Sequence, residues 1–134
     1  LAEAAAGRLR SEPATVAAAA VTVVLATEGY PASPRTGDTI AGLDAAAAEE
    51  GVTVYCAGVD AGPATPLRGP LGPSGSLITA GGRVLQVTGM GSDPDQARRR
   101  AYRAVSHVSW PGMQYRTDIA IPVASSLRVE EEVR

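Results

Sequence analysis

The sequence predicts an α+β domain, an antiparallel sheet with flanking helices. Three observations carry that class. Residues 52–59 set Val52, Val54 and Cys56 against Thr53, Tyr55 and Ala57, the alternation of a strand. Two further strand patterns, 76–80 and 83–90, are separated only by Gly81-Gly82, a pair able to supply the positive φ values of a tight hairpin. Behind them comes a helix with its own start signal: Asp93 as N-cap, Pro94 in the first turn, and Gln96 three residues after the cap.

Taken in order, residues 1–10 are alanine-rich and helix-forming, and Glu12-Pro13 ends them. Residues 20–27 contain Val21-Thr22-Val23-Val24-Leu25, which reads as a strand covered on both faces. Gly29, Pro31, Pro34 and Gly37 make 28–38 a loop. Residues 43–50 read as a short helix with Gly51 as its C-cap. Proline and glycine without periodicity make 60–75 a long surface loop. In the capped helix, Ala97, Ala101, Ala104, Val105 and Val108 share an apolar face, Arg98, Arg99, Arg100 and Arg103 point away, and Pro111-Gly112 stops it. Residues 115–123 read as a final extended segment. The remainder, from 125, is a charged tail for which disorder is one reading.

The bulk properties narrow the function classes. A chain of 134 residues fits one domain and can bury a core without disulfide or metal. A single cysteine, Cys56, excludes an internal disulfide framework and makes a reducing, cytoplasmic setting the default. A net charge of −2 with no strongly basic half gives no sign of nucleic acid or an anionic membrane, and no apolar run is long enough to cross a bilayer. All 12 basic residues are arginine, so no lysine is present to grip a phosphate or form a Schiff base. The chain starts at Leu1 rather than methionine, as expected of an excised or processed piece.

Most candidate chemistry dissolves on inspection. Ser106 and His107 are adjacent on a helix, so they point apart and read as structural rather than as a nucleophile–base pair. Cys56 alternates with valines and reads as an inert buried thiol. One histidine, one cysteine and scattered acids offer no metal-ligand spacing. Gly89-Met90-Gly91-Ser92 precedes a helix whose first turn carries Asp93 and Asp95, which repel an anion. Arg98-Arg99-Arg100 reads as a solvated helix face. Arg83 stands apart, because two glycines let the backbone approach something closely and a strand then holds the guanidinium. Two readings stay open for it: a fork for phosphate or carboxylate, or an ordinary strand-edge arginine. Arg35, in a proline-rich loop beside Tyr30, shares the first reading more weakly.

Together the segments resemble a known family. The matching residues are Val23-Val24-Leu25-Ala26 running into Gly29-Tyr30-Pro31, then Arg35-Thr36-Gly37-Asp38 with Ile40 and Gly42. Next come Val54-Tyr55 with Ala57-Gly58, and Gly81-Gly82-Arg83-Val84-Leu85 with Val87-Thr88. Ala97, Ala101-Tyr102, Tyr115-Arg116 and Asp118-Ile119 complete the series. This pattern resembles the C-terminal domain of the phosphoribosylamine–glycine ligases (glycinamide ribonucleotide synthetases), ATP-grasp enzymes of purine biosynthesis. It departs from the family at Cys56, where histidine is common, and at Val59, where threonine is.

The resemblance implies a half-barrel antiparallel domain, a rudimentary single-hybrid-like motif, spanning 20–120. It also implies that 1–19 is a helix and linker from a missing ATP-grasp domain, and that 121–134 is a tail. The parent enzyme joins glycine to phosphoribosylamine, with ATP activating the glycine carboxylate as an acyl phosphate. ATP and Mg (or Mn) would be held by the missing lobes, and this chain alone would be inactive, with no catalytic or metal-binding residue. By the same resemblance, Arg83 would bind the substrate phosphate, Gly81 and Gly82 would shape its turn, and Tyr30 and Arg35 would approach the same pocket. A standalone non-enzymatic binding module of the same fold is the alternative.

Overall fold

A computed structural model describes residues 5–7, 15–69 and 72–121. The expected N-terminal helix falls largely on undescribed residues, and the tail beyond 121 lies outside the described residues. The element order is β1 (Ala19–Ala26), α1 (Leu43–Ala47), β2 (Val52–Cys56), β3 (Val59–Gly69), β4 (Gly72–Thr79), β5 (Arg83–Gly91) and α2 (Pro94–His107). β1, β5 and β2 form a three-stranded sheet in that order, antiparallel throughout, and β3 pairs with β4 in a second, two-stranded sheet. The α+β class therefore holds.

The core forms where α2 lies across the inner face of the three-stranded sheet. Rows of facing residues run Val21–Gly89–Val52, Val23–Val87–Val54 and Leu25–Leu85–Cys56. Val23, Leu25, Leu85 and Val87 are fully buried there against Ala97, Ala101, Ala104 and Val105 of α2, the apolar face the sequence pattern marks out. Small residues set the spacing. A Cβ at Gly89 would lie 2.3 Å from the Ala97 carbonyl oxygen and 2.5 Å from the Ala101 nitrogen, so glycine lets helix and strand backbones meet directly. Asp93 caps α2 through the Gln96 N–H at 2.7 Å, and Gln96 Oε1 accepts the Ser92 N–H at 2.8 Å.

Several expectations are corrected. β1 is covered on one face only: Val21, Val23 and Leu25 are buried, whereas Thr22 and Val24 face outward, where the Thr22 and Thr88 hydroxyls bond at 2.8 Å. β-branched residues suit either face of a strand, so the run could not reveal that a single helical layer covers this sheet. Residues 60–75 are no loop, since most belong to β3 and β4. Their ladder shifts register between Ala61 and Ala64 and between Ala64 and Leu67, where Pro63 and Pro66 cannot donate.

Gly81-Gly82 does not close a hairpin either. β4 pairs with β3, β5 is taken on both edges by β1 and β2, and neither glycine has a positive φ. The pair instead carries the chain from one sheet to the other. Cys56 is exposed rather than buried, because α2 packs over β5 and β1 and scarcely reaches β2.

The helices end earlier than expected. α1 stops at Ala47, and Gly51 (φ 69°) closes the following turn. α2 stops at His107, because Val108 turns extended and Ser109 pairs with Ala41. Pro111-Gly112 then forms a turn beyond the buried Trp110. Over 115–121 the expected strand does not form, and among the described residues of this stretch Gln114 alone pairs, exchanging two 2.8 Å bonds with Ala26; residues 122 and 123 lie outside the described residues.

Candidate functional site

Three backbone segments converge at the end of β1. The β1–β5 register brings Ala26 opposite Arg83, and the Gln114 bridge lies on Ala26's other side. With strands spaced ~4.8 Å apart, Arg83 and Gln114 stand roughly 10 Å apart across Ala26. The third segment is the loop after β1. The buried Thr27 hydroxyl donates to the Arg35 carbonyl at 2.6 Å, and the Arg35 and Ser33 N–H groups bond the Glu28 and Gly29 carbonyls at 2.9 and 2.8 Å. This compact turn, which contains a cis Tyr30–Pro31 peptide, lays the Tyr30 ring against Gly82.

A Cβ at Gly82 would sit 2.2 Å from Tyr30 Cδ2, so the glycine is needed to seat the ring, not to make a turn. Gly81 lies close to Gly58, whose Cα would be 3.2 Å from its Cβ. The result is an open cleft of about 480 Å³, with Val24 and Ala26 as its floor, Tyr30 and Arg83 on one side, and Gln114, Tyr115 and Arg116 on the other.

The charge in this cleft is one-sided. Among the described residues its lining holds two arginines and no carboxylate. Arg83 is exposed, its carbonyl accepts the Gly58 N–H at 2.9 Å, and among the described residues its guanidinium has no hydrogen-bond or ion-pair partner. Arg116 is bound two-pronged by Asp118, Nε to Oδ1 at 2.8 Å and Nη2 to Oδ2 at 2.5 Å. That hydrogen-bonded pairing raises the Arg116 pKa above its ordinary value and lowers that of Asp118. Since Asp118 occupies Nε and one Nη, Nη1 still offers donors to a ligand. The arrangement suits a small dianion carried on a moiety that packs against tyrosine rings.

Of the residues expected at the site, Arg83, Tyr30 and Gly82 come together, with Gly81 behind them. Arg35 does not line the cleft; it pairs with Asp38 at 2.8 Å and Glu28 at 3.5 Å and braces the loop. Gln114, Tyr115 and Arg116 were not foreseen as lining residues. Their signals in the sequence are the place of Tyr115-Arg116 in the family pattern and an aromatic–arginine pair with an aspartate two residues on.

Elsewhere, Ser106 Oγ donates to the Arg103 carbonyl at 2.6 Å and His107 Nε2 meets Glu49 at 2.9 Å, so the two residues serve separate structural contacts. The arginine-rich face of α2 is not simply solvated. Arg100 bonds the Met90 carbonyl at 2.8 Å and Glu50 at 3.1 Å, and Arg98 bonds carbonyls of the 117–119 segment. Among the described residues there is no group of three His, Cys, Asp or Glu side chains able to hold a metal ion, and no helix long and apolar enough to cross a membrane.

Comparison with known proteins gives a consistent result. The model of the family "Phosphoribosylglycinamide synthetase, C domain" matches residues 20–122. A phosphoribosylamine–glycine ligase of Streptomyces coelicolor is 44% identical over 108 residues, which are 81% of this chain and 24% of that protein. The Leifsonia xyli ligase is 49% identical over 100 residues, 75% of this chain and 22% of that protein. A solved structure of the Thermotoga maritima phosphoribosylamine–glycine ligase superposes with a TM-score of 0.55 at 38% identity, covering 74% of this chain and 21% of that one. The chain thus spans about a quarter or less of the length of these relatives.

Proposed function

This chain belongs to the phosphoribosylglycinamide synthetase C-domain family, and from that premise we propose that it supplies the substrate-phosphate wall of a phosphoribosylamine–glycine ligase. In this reading residues 20–120 are the ligase C-terminal domain, and 1–19 and 121–134 connect or flank it. The rest of a cytoplasmic ATP-grasp polypeptide holds ATP and Mg or Mn and carries out the chemistry. The described residues do not fit a metal–nucleotide site themselves, having no cluster of metal-ligating side chains and no lysine. The chain's own work is binding and orientation.

The observation that carries the proposal is Arg83, an arginine without a carboxylate partner among the described residues, in a cleft whose described lining carries one other charge, Arg116. Arg83 donates its planar fork to the phosphate of phosphoribosylamine, and Arg116 adds a donor from the opposite side. Tyr30 and Tyr115 enclose the sugar, and Gly82, with Gly81 behind it, keeps room for the Tyr30 ring. Arg35 contributes by holding the loop that presents Tyr30. The test is titration of the full chain with ribose 5-phosphate. Arg83→Ala is expected to weaken binding by about tenfold or more, the worth of a charge-assisted hydrogen bond. Equal affinity in the variant would sink the assignment.

A further inference from the structure

The 115–119 segment has no regular structure, so its backbone groups must find partners elsewhere. One end is tied to β1 through the paired bonds of Gln114 and Ala26. The other end is tied to α2. The Tyr102 hydroxyl donates to the Arg116 carbonyl at 2.6 Å and accepts the Ile119 N–H at 3.1 Å. Arg98 spans two more carbonyls, Nε to Ile119 at 3.0 Å and Nη2 to Thr117 at 2.8 Å. Its guanidinium also lies 4.7 Å from the centroid of the Tyr102 ring, which sits 6.4 Å from the ring of Tyr115. Tyr115 and Arg116 therefore hang between two anchors, and both line the cleft.

We propose that Arg98 and Tyr102, half-buried one turn apart on the flank of α2, are positioning residues of the cleft: they hold the 115–119 backbone so that Arg116 and Tyr115 face Arg83. The inference rests on the sugar-phosphate reading above. Its logic is that Arg116 has little freedom to compensate. Asp118 fixes its side chain, so where its free Nη1 points depends on where the backbone is held. Tyrosine suits the anchor because one hydroxyl both donates and accepts. Arginine suits it because a planar fork reaches carbonyls two residues apart, which a lysine ammonium does not. Phenylalanine at 102 would keep the ring beneath Arg98 and beside Tyr115 while releasing both hydrogen bonds.

The test uses the full chain with labelled arginine, following the Nε–H resonances of Arg83 and Arg116 during titration with ribose 5-phosphate. Both resonances are expected to shift together in the unaltered chain. Tyr102→Phe is expected to weaken binding by about fivefold and to abolish the shift at Arg116 while that at Arg83 remains. Arg98→Gln is expected to act in the same direction. Val105→Ala, which opens a cavity on the buried face of the same helix, is expected to lower thermal stability at least as much yet leave affinity within about twofold. If Tyr102→Phe binds normally while Arg83→Ala has lost affinity, the positioning role is overturned and the cleft reading stands. If Val105→Ala weakens binding as much as Tyr102→Phe, the effect is lost stability and the positioning role is likewise overturned. No shift at either arginine in the unaltered chain overturns the cleft reading, and the positioning role with it.

Discussion

Adding one methyl group at Gly82 and, separately, at Gly89 is expected to have opposite consequences. Neither glycine has a positive φ, so the backbone accepts alanine at both and the obstacle alone decides. At Gly82 the new Cβ would lie 2.2 Å from Tyr30 Cδ2 and 2.9 Å from Cε2, against an ordinary contact of 3.4 Å or more. The ring must retreat by about 1 Å. Tyr30 is 41% exposed and can swing toward solvent.

The stability cost at Gly82 is therefore small, below about 1 kcal/mol, but the cleft loses a wall. At Gly89 the obstacles are the Ala97 oxygen and the Ala101 nitrogen, helix backbone that cannot move without lifting α2 off β5. Overpacking of this kind costs about 3 kcal/mol, the upper part of the usual range. Urea unfolding followed by the fluorescence of the buried Trp110 measures the first quantity, and ribose 5-phosphate titration the second. Gly82→Ala should unfold near the unaltered midpoint and bind several-fold more weakly; Gly89→Ala should unfold much earlier. Equal destabilisation by the two substitutions, or full affinity in Gly82→Ala, would refute the reasoning.

Two further outcomes are expected. The Asp93 carboxylate is held below its ordinary pKa of 3.8, chiefly by the Gln96 N–H and then by the Ser92 hydroxyl. A depressed carboxylate stabilises above its unfolded pKa, and that contribution fades as pH falls through the folded value. Asp93→Asn should therefore melt below the unaltered chain at about pH 6, with the gap closing by about pH 2; a gap that widens on acidification would contradict this. Cys56 is exposed, so a thiol reagent should label it in the native chain at nearly the rate seen in denaturant, and strong native protection would restore the buried-thiol reading.

The parts of the fold visible in the sequence were those fixed by local rules. Asp93, Pro94 and Gln96 announce α2, and its alanine–valine face is the one that meets the sheet, because capping and helical period act within a few residues. The alternation at 52–56 likewise marks β2. Pairing was hidden, since the glycines between β4 and β5 are compatible with a hairpin, and only the competition of β1 and β2 for β5 excludes it. Coverage was hidden too: Val24 and Cys56 differ from their buried neighbours by which face and which strand α2 reaches.

Of the candidate cleft, Arg83, Gly82 and Tyr30 are singled out in the sequence by the family pattern, and the structure brings them together. Arg35 lies outside the lining because Asp38 and Glu28 pair with it, which nothing local in the sequence shows. Arg116 came from a segment held by long-range bonds to Tyr102, Arg98 and Ala26, which no spacing in the sequence announces.

The central claim is that Arg83 serves the phosphoribosyl substrate within a larger ligase. It is tested most directly by replacing the matched C-terminal segment of the Streptomyces coelicolor ligase, 44% identical, with residues 20–122 of this chain. KM for phosphoribosylamine and for ATP would then be measured with and without Arg83→Ala. The account predicts an active hybrid in which the substitution raises KM for phosphoribosylamine by about tenfold or more and leaves that for ATP within about twofold. Equal losses for both substrates, or no loss for phosphoribosylamine, would contradict it.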